Sequence, residues 1–196
     1  MKTRPLRIGF DFDGVIAYNP VRIVRPLIST FKRSVLGVKK LTFFYPRTPL
    51  QRFLWILAHE SSIFPSHGSG LFKTLVREGY IEAHLVTARF SFLDNHLKKW
   101  LKLYGLDTSF ATVTINQKDE QPHLFKEKTV VKNNFDYFID DNLDIVLHLD
   151  KMRREGKFGT EIHWVYNILD RNKPYPHKHP DLKNFLESIP LKGVPG

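Results

Sequence analysis

Short apolar runs alternate with stretches of helical period along most of the chain. Leu6 to Phe12, Tyr80 to Val86, Phe110 to Ile115, Phe135 to Ile139 and Ile162 to Val165 have the length and composition of buried strands. Ser69 to Glu78 has helical period and stops at Gly79, a residue suited to a left-handed cap. Ser91 to Tyr104 carries Leu93, Leu97, Trp100, Leu101 and Tyr104 on one stripe and ends at Gly105. A third helix starts near Asn142, carries Leu143, Val146, Leu147 and Leu149, and ends before Gly156. Strand and helix in alternation predict an α/β fold: a parallel sheet with helices on both faces. There is no internal repeat. Lys173 to Pro180 is rich in Pro and His and reads as an exposed connection, with His177 and His179 as loop residues rather than metal ligands.

Residues 18–64 interrupt this alternation. Asn19-Pro20 has the form of an N-cap followed by Pro at the first helical position. Val21, Val24, Ile28, Phe31 and Val35 follow at helical spacing, with Pro26 set to kink or break the helix. Thr48-Pro49 opens a second helix with Leu50, Phe53, Leu54 and Leu57 along one face. From Tyr18 to Glu60 eight basic residues (Arg22, Arg25, Lys32, Arg33, Lys39, Lys40, Arg47, Arg52) face a single acid, Glu60. The aromatics Phe43, Phe44, Tyr45, Phe53 and Trp55 cluster there too. Pattern and composition divide the chain into a core, residues 1–17 plus 65–196, and a small helical lobe inserted at 18–64.

That division locates the charge. The 196 residues carry a formal net charge of +10, most of it in the lobe, and no cysteine. The excess points to an anionic partner: a phosphate compound, a nucleic acid or a membrane surface. Zero Cys excludes disulfides, a zinc-thiolate site and a thiol nucleophile. No segment approaches the roughly 18 apolar residues of a membrane span. The longest candidate, Phe53 to Ala58, is bracketed by Arg52 and His59, and the apolar N-terminal stretch is broken by Asp11 and Asp13, unlike a signal peptide. A cytoplasmic location is the default expectation.

Three of the strands end in polar residues that packing does not explain. They run into Asp11-Phe12-Asp13-Gly14, Thr87-Ala88-Arg89 and Asp140-Asp141-Asn142. Ligands of open α/β sheets bind beyond the carboxyl ends of the strands, the edge where all three groups would fall. Carboxylates without cysteine or paired histidine beside them suit a hard, oxygen-seeking cation such as Mg²⁺.

These segments resemble the motifs of the haloacid-dehalogenase-like (HAD) phosphohydrolase superfamily. Ile8 to Val15 matches its first motif, an apolar strand followed by Asp-x-Asp. His84 to Thr87 matches the second, a strand ending in Thr or Ser. Tyr137 to Asp141, with Asp144 following, matches the fourth. The resemblance spans Leu6 to Asp144 in order and spacing. It implies a Rossmann-like core with a small helical C1-type cap inserted after the first strand. It also implies Asp11 as a nucleophile that becomes an aspartyl-phosphate, and Asp13 as general acid, then base. Asp11, Asp140, Asp141 and a backbone carbonyl at Asp13 would hold Mg²⁺. Thr87 would offer its hydroxyl to a phosphate oxygen, and Gly14, Ala88 and Arg89 would line the substrate. The family's lysine, a fixed charge for the phosphoryl oxygens, is assigned first to Lys128, with Lys126 and Lys118 as alternatives. Thr87 would alternatively be a helix N-cap, Asp144 fits a first-turn acid better than a metal ligand, and Arg89 either pairs with a surface acid or meets substrate. Phe43, Phe44, Tyr45 and Arg47 are of the types that stack on a base and hold a phosphate, or equally form the core of the cap, the better reading for Phe43 and Phe44.

A narrower likeness rests on Lys128-Thr-Val-Val, Asp136 to Asp141, Thr87-Ala-Arg89 and Val165-Tyr-Asn167, which resemble the 5′(3′)-deoxyribonucleotidase and bacterial nucleotidase-like group. The expectation is a Mg²⁺-dependent phosphatase acting on a phosphorylated small molecule, with a nucleoside monophosphate favoured. The alternatives are a nucleic-acid-end phosphatase whose basic lobe grips the strand, or a non-catalytic binding protein on the same scaffold.

Overall fold

The computed structural model describes residues 4–20, 45–60 and 62–190, the last three of the middle stretch by backbone alone. In chain order the strands are β1 (Leu6–Phe10), β2 (Ala17–Tyr18), β3 (Phe64–Pro65), β4 (Ile81–Phe90), β5 (Thr112–Asn116), β6 (Tyr137–Asp140), β7 (Glu161–Val165) and β8 (Lys178–His179). The helices are α1 (Pro49–Glu60), α2 (Ser69–Arg77), α3 (Asp94–Leu103), α4 (Pro122–Asn133), α5 (Leu143–Arg154) and α6 (Leu182–Ser188). Six strands form one parallel sheet in the order β5-β4-β1-β6-β7-β8. The chain builds outward from β1 first to one side and then to the other. The reversal places the switch point at the carboxyl end of β1, between β4 and β6.

Period-2 alternation divides the sheet's side chains between two apolar layers. Ile8, Phe10, Leu85, Ile139 and Val165 face one layer with Phe72 of α2, Leu97 and Leu101 of α3 and Phe185 of α6. Val86, Phe138, Ile162 and Trp164 face the other with Phe125 and Val130 of α4 and Ile145, Val146 and Leu149 of α5. Helices thus cover both faces, as the alternation predicts. Gly9 in β1 points to the second layer, where an added Cβ would lie 2.7 Å from the Phe138 ring and 2.8 Å from that of Phe135. A side chain at position 9 has no room.

The β1 and β4 expectations shift at their ends. β1 stops at Phe10, because Asp11 to Ala17 coil into a buried loop closed by hydrogen bonds from Gly14 N to Ala17 O (2.7 Å) and Ala17 N to Phe12 O (2.9 Å). Gly14 sits at φ 82°, a conformation that favours glycine. β4 continues past Thr87 to Phe90, with a register shift against β5 between Thr87 and Phe90. Ala17–Tyr18 and Phe64–Pro65 pair antiparallel, so the segment between them leaves and returns through a two-stranded neck.

Within that segment α1 follows the expected second helix, and its Leu50, Phe53, Leu54 and Leu57 stripe is exposed. The expected first helix, Val21 to Val35, and Phe43 and Phe44 lie outside the described residues. The Lys173 to Pro180 stretch is exposed at Lys173 and its three prolines, as its composition suggests, but it does more than connect. Tyr175 is buried and donates its hydroxyl to Ile162 O at 2.8 Å, and Lys178–His179 add the edge strand β8.

Candidate active site

Asp11 is the first residue beyond β1, and its N–H donates to Ile139 O of β6 at 2.9 Å. That bond fixes the Asp11 backbone between the strands that supply its neighbours. Asp140 ends β6 with no exposure, and Asp141, 9% exposed, follows it directly. One carboxylate oxygen from each of Asp11, Asp140 and Asp141 lies within 4.8 Å of the others.

Lys126 enters this group from α4. Its Nζ lies 2.6 Å from Asp140 Oδ2 and 3.0 Å from Asp11 Oδ2, and its side chain is 3% exposed. Burial alone disfavours the ammonium, but Asp11 and Asp140 outweigh it and raise the Lys126 pKa, so the residue is a fixed cation. For Asp11 burial is the largest influence and lifts the pKa well above its ordinary value of 3.8. Lys126 opposes that, and Asp140, Asp141 and Asp13 add to it. The cluster is short of positive charge.

Asp13 projects from the loop into a second ion pair. Arg89 Nε donates to Asp13 Oδ2 at 2.8 Å, an Arg89 terminal nitrogen donates to Oδ1 at 2.7 Å, and the guanidinium lies 4.4 Å from the Phe12 ring centroid. Ser62 Oγ donates to Asp13 Oδ1 at 2.6 Å. Ser62 is itself held through its carbonyl, which accepts from Trp100 Nε1 at 2.7 Å, while the Ile63 carbonyl accepts from the Tyr104 hydroxyl. Two aromatic residues of the α3 region therefore dock the segment just before β3 beside Asp13.

Several placements differ from the sequence expectation. Lys128 is not at the site: it is exposed and pairs with Glu120 at 2.6 Å. Lys126 takes the position because it shares the buried face of α4 with Pro122, Phe125, Thr129 and Val130. Two residues on, a helix has turned by about 200° and points Lys128 away. Arg89 pairs with an acid, as one alternative held, but the acid is the buried Asp13 and not a surface group. Thr87 is buried and caps no helix, since α3 begins only at Asp94; its Oγ1 accepts from Arg89 N at 3.2 Å, which leaves the hydroxyl proton available. Ala88 packs against the second apolar layer. Asp144 sits in the first turn of α5, behind the Asn142 cap that accepts from its N–H. Tyr45 lies edge-on to Phe90 and donates its hydroxyl to Asp119 at 2.9 Å. Arg47 is exposed. Ser62 was not anticipated, and a lone serine in the lobe carries no sequence signal.

No protein-family model and no curated protein sequence matches the chain. Solved structures do. A protein assigned as a haloacid dehalogenase-like hydrolase from Bacteroides fragilis superposes with a TM-score of 0.55 at 13% identity, covering 92% of this chain and 99% of its own. CbbY from Rhodobacter sphaeroides, in complex with phosphate, gives 0.56 at 10% identity over 90% and 94% of the two chains. A protein assigned as a beta-phosphoglucomutase from Thermotoga maritima gives 0.56 at 14% identity over 93% and 97%.

The fold is that of the haloacid-dehalogenase-like hydrolases. Within this HAD fold the carboxylates, Lys126 and Thr87 sit at the carboxyl ends of β4, β1 and β6, around the switch point. The donors of the cluster are all hard oxygens, the set a cation such as Mg²⁺ prefers. Asp11, Asp13, Asp140 and Asp141 face Lys126 and Arg89, so a divalent ion would balance the group.

Proposed function

We propose that the chain is a Mg²⁺-dependent phosphatase that hydrolyses a phosphomonoester through an aspartyl-phosphate on Asp11. The supporting observation is the pairing of Asp11 with the buried cation Lys126 beside Asp140 and Asp141. Asp11, Asp140 and Asp141 would hold Mg²⁺, which when bound offsets repulsion between the carboxylates and the phosphate. Asp11 Oδ attacks phosphorus, and the bond from phosphorus to the ester oxygen breaks. Asp13 delivers its proton to that leaving oxygen. Asp13 then takes a proton from water, the water oxygen attacks phosphorus, and the bond to Asp11 breaks to release phosphate. Lys126 and the Thr87 hydroxyl neutralise and orient the phosphoryl oxygens. Arg89 and Ser62 fix the direction of the Asp13 carboxyl group, and Arg89 must yield one of its two bonds while Asp13 carries the proton.

In this reading residues 18–64 are the inserted cap, and their basic composition suits an anionic substrate. The substrate class is a phosphomonoester, and a nucleoside monophosphate is favoured by the likeness of Thr87-Ala-Arg89, Lys128-Thr-Val-Val, Asp136 to Asp141 and Val165-Tyr-Asn167 to the nucleotidase-like group. A panel of nucleoside monophosphates, sugar phosphates and phosphoglycolate, assayed for phosphate release with Mg²⁺ and with EDTA, tests this. Turnover with Mg²⁺, its loss in EDTA, and its loss in a folded Asp11→Asn variant are expected. Unchanged release by Asp11→Asn would falsify the mechanism. Activity confined to phosphorylated strand ends and lost steeply with salt would instead favour the nucleic-acid reading.

A further inference from the structure

Four side chains capable of binding a transition metal meet on one face of the sheet, away from the carboxylate cluster. Glu161 and His163 stand two residues apart on β7; His177 comes just before the adjoining strand β8, its carbonyl accepting from Trp164 N, and His179 ends that strand, where Val165 pairs with it. Period-2 geometry turns each pair to the same face. Glu161 Oε1 lies 2.8 Å from His163 Nε2 and 3.3 Å from His177 Nδ1. One ligand atom from each of these three residues falls within 4.8 Å of the others. Tetrahedral zinc with bonds of about 2.0–2.1 Å needs donors roughly 3.3–3.5 Å apart, so small side-chain movements suffice.

The surroundings match what such a site requires. His163 is 5% exposed and packed against Tyr137 and Phe185, which fixes its ring. Its other nitrogen, Nδ1, lies 2.9 Å from His179 Nε2. A metal on Nε2 leaves the single proton of the neutral ring on Nδ1, donating to His179, the second partner that histidine ligands commonly have. Glu161 and His177 are 39% exposed, so the ligand set opens to solvent on one side.

We propose that Glu161, His163 and His177 bind one borderline divalent ion of the Zn²⁺ class, with His179 orienting His163 and water in the fourth position. The ligand set is two imidazoles and one carboxylate, unlike the all-oxygen set at Asp11. The site clips the edge strand β8, only two residues long, and the segment before it to β7. Its role is structural and independent of phosphate release.

The test is calorimetric titration of the full chain, freed of metal by chelator, with Zn²⁺ in millimolar Mg²⁺ to occupy the oxygen site. One Zn²⁺ per chain is expected, together with a rise in melting temperature. His177→Ala and Glu161→Gln alter half-exposed positions that tolerate change. Each should weaken Zn²⁺ by at least about tenfold and abolish the thermal shift, with secondary structure intact. His179→Ala should weaken it about 10- to 100-fold. Co²⁺ should give the visible absorption of a tetrahedral site in the wild type and not in His177→Ala. The proposal is overturned by absence of saturable Zn²⁺ binding in Mg²⁺, or by equal affinity in wild type, His177→Ala and Glu161→Gln.

Discussion

Lys126 and Lys128 are two residues apart and of identical chemistry, yet only one reaches the carboxylates. The difference is phase on a helix. Lys126 is enclosed between Asp11 and Asp140, where water does not screen it, and Lys128 is 68% exposed against Glu120. An exposed pair of that kind is worth little, whereas in the proposed phosphatase a buried cation beside the nucleophile would carry a large share of catalysis. Lys126→Met is expected to lower kcat by about 100-fold or more. Lys128→Met should stay within about twofold of wild type, since its pair is surface-screened. Steady-state phosphate release measured on both variants, with circular dichroism to confirm folding, decides between them. A large loss in Lys128→Met with Lys126→Met still active would reverse the assignment. Lys126→Met also leaves Asp11 and Asp140 without their buried partner, so lower stability should accompany it.

Elements were legible in the sequence where burial is apolar and periodic, and obscure where it is not. Five of the six strands of the main sheet and the helices α2, α3 and α5 follow from their patterns. The helix α4 does not, because its buried face is Pro122, Phe125, Lys126, Thr129 and Val130, and the buried lysine itself interrupts the stripe. Read for phase rather than hydropathy, that same face would have selected Lys126 over Lys128. β8 escaped because two residues among prolines cannot display a period, and Ser62 because its role depends on Trp100, 38 positions away. The carboxylates were visible, since acids at strand ends stand out against apolar runs. β1 offers a direct test at this scale. In Gly9→Ala the new methyl would meet the Phe135 and Phe138 rings, which are stacked within 17° of parallel and cannot both retreat. Overpacking of this kind costs about 1–3 kcal/mol. Urea denaturation should show a lower midpoint with an unchanged slope, and activity should fall as well, since Asp11 is two residues on.

Across the described residues, the sheet separates the end that bears the carboxylate cluster from the end that ties strands together. The carboxyl ends of β4, β1 and β6 hold the carboxylates and Lys126, while the opposite end is fastened by Asp136, just before β6. Asp136 accepts from both terminal nitrogens of Arg4 at 2.8 and 2.7 Å and from Arg7 N of β1 at 2.8 Å. Burial on its own would raise its pKa, but the hydrogen bonds from Arg4 and Arg7, reinforced by their charges, bring it below the ordinary value of 3.8. The folded state therefore binds fewer protons than the unfolded chain just below that value. The stabilisation is complete above pH 3.8 and is lost as pH falls through the lower folded pKa. Asp136→Asn is expected to melt at a lower temperature than wild type at pH 7, with the difference closing as the pH drops below the ordinary carboxylate range. Raising salt at pH 7 should remove part of the difference, because Arg4 is largely exposed and its charge is screened. The contact with the Arg7 amide lies between strands and resists salt, so some of the difference must remain. A gap that widens toward acid would mean that another group, not Asp136, controls the acid limb.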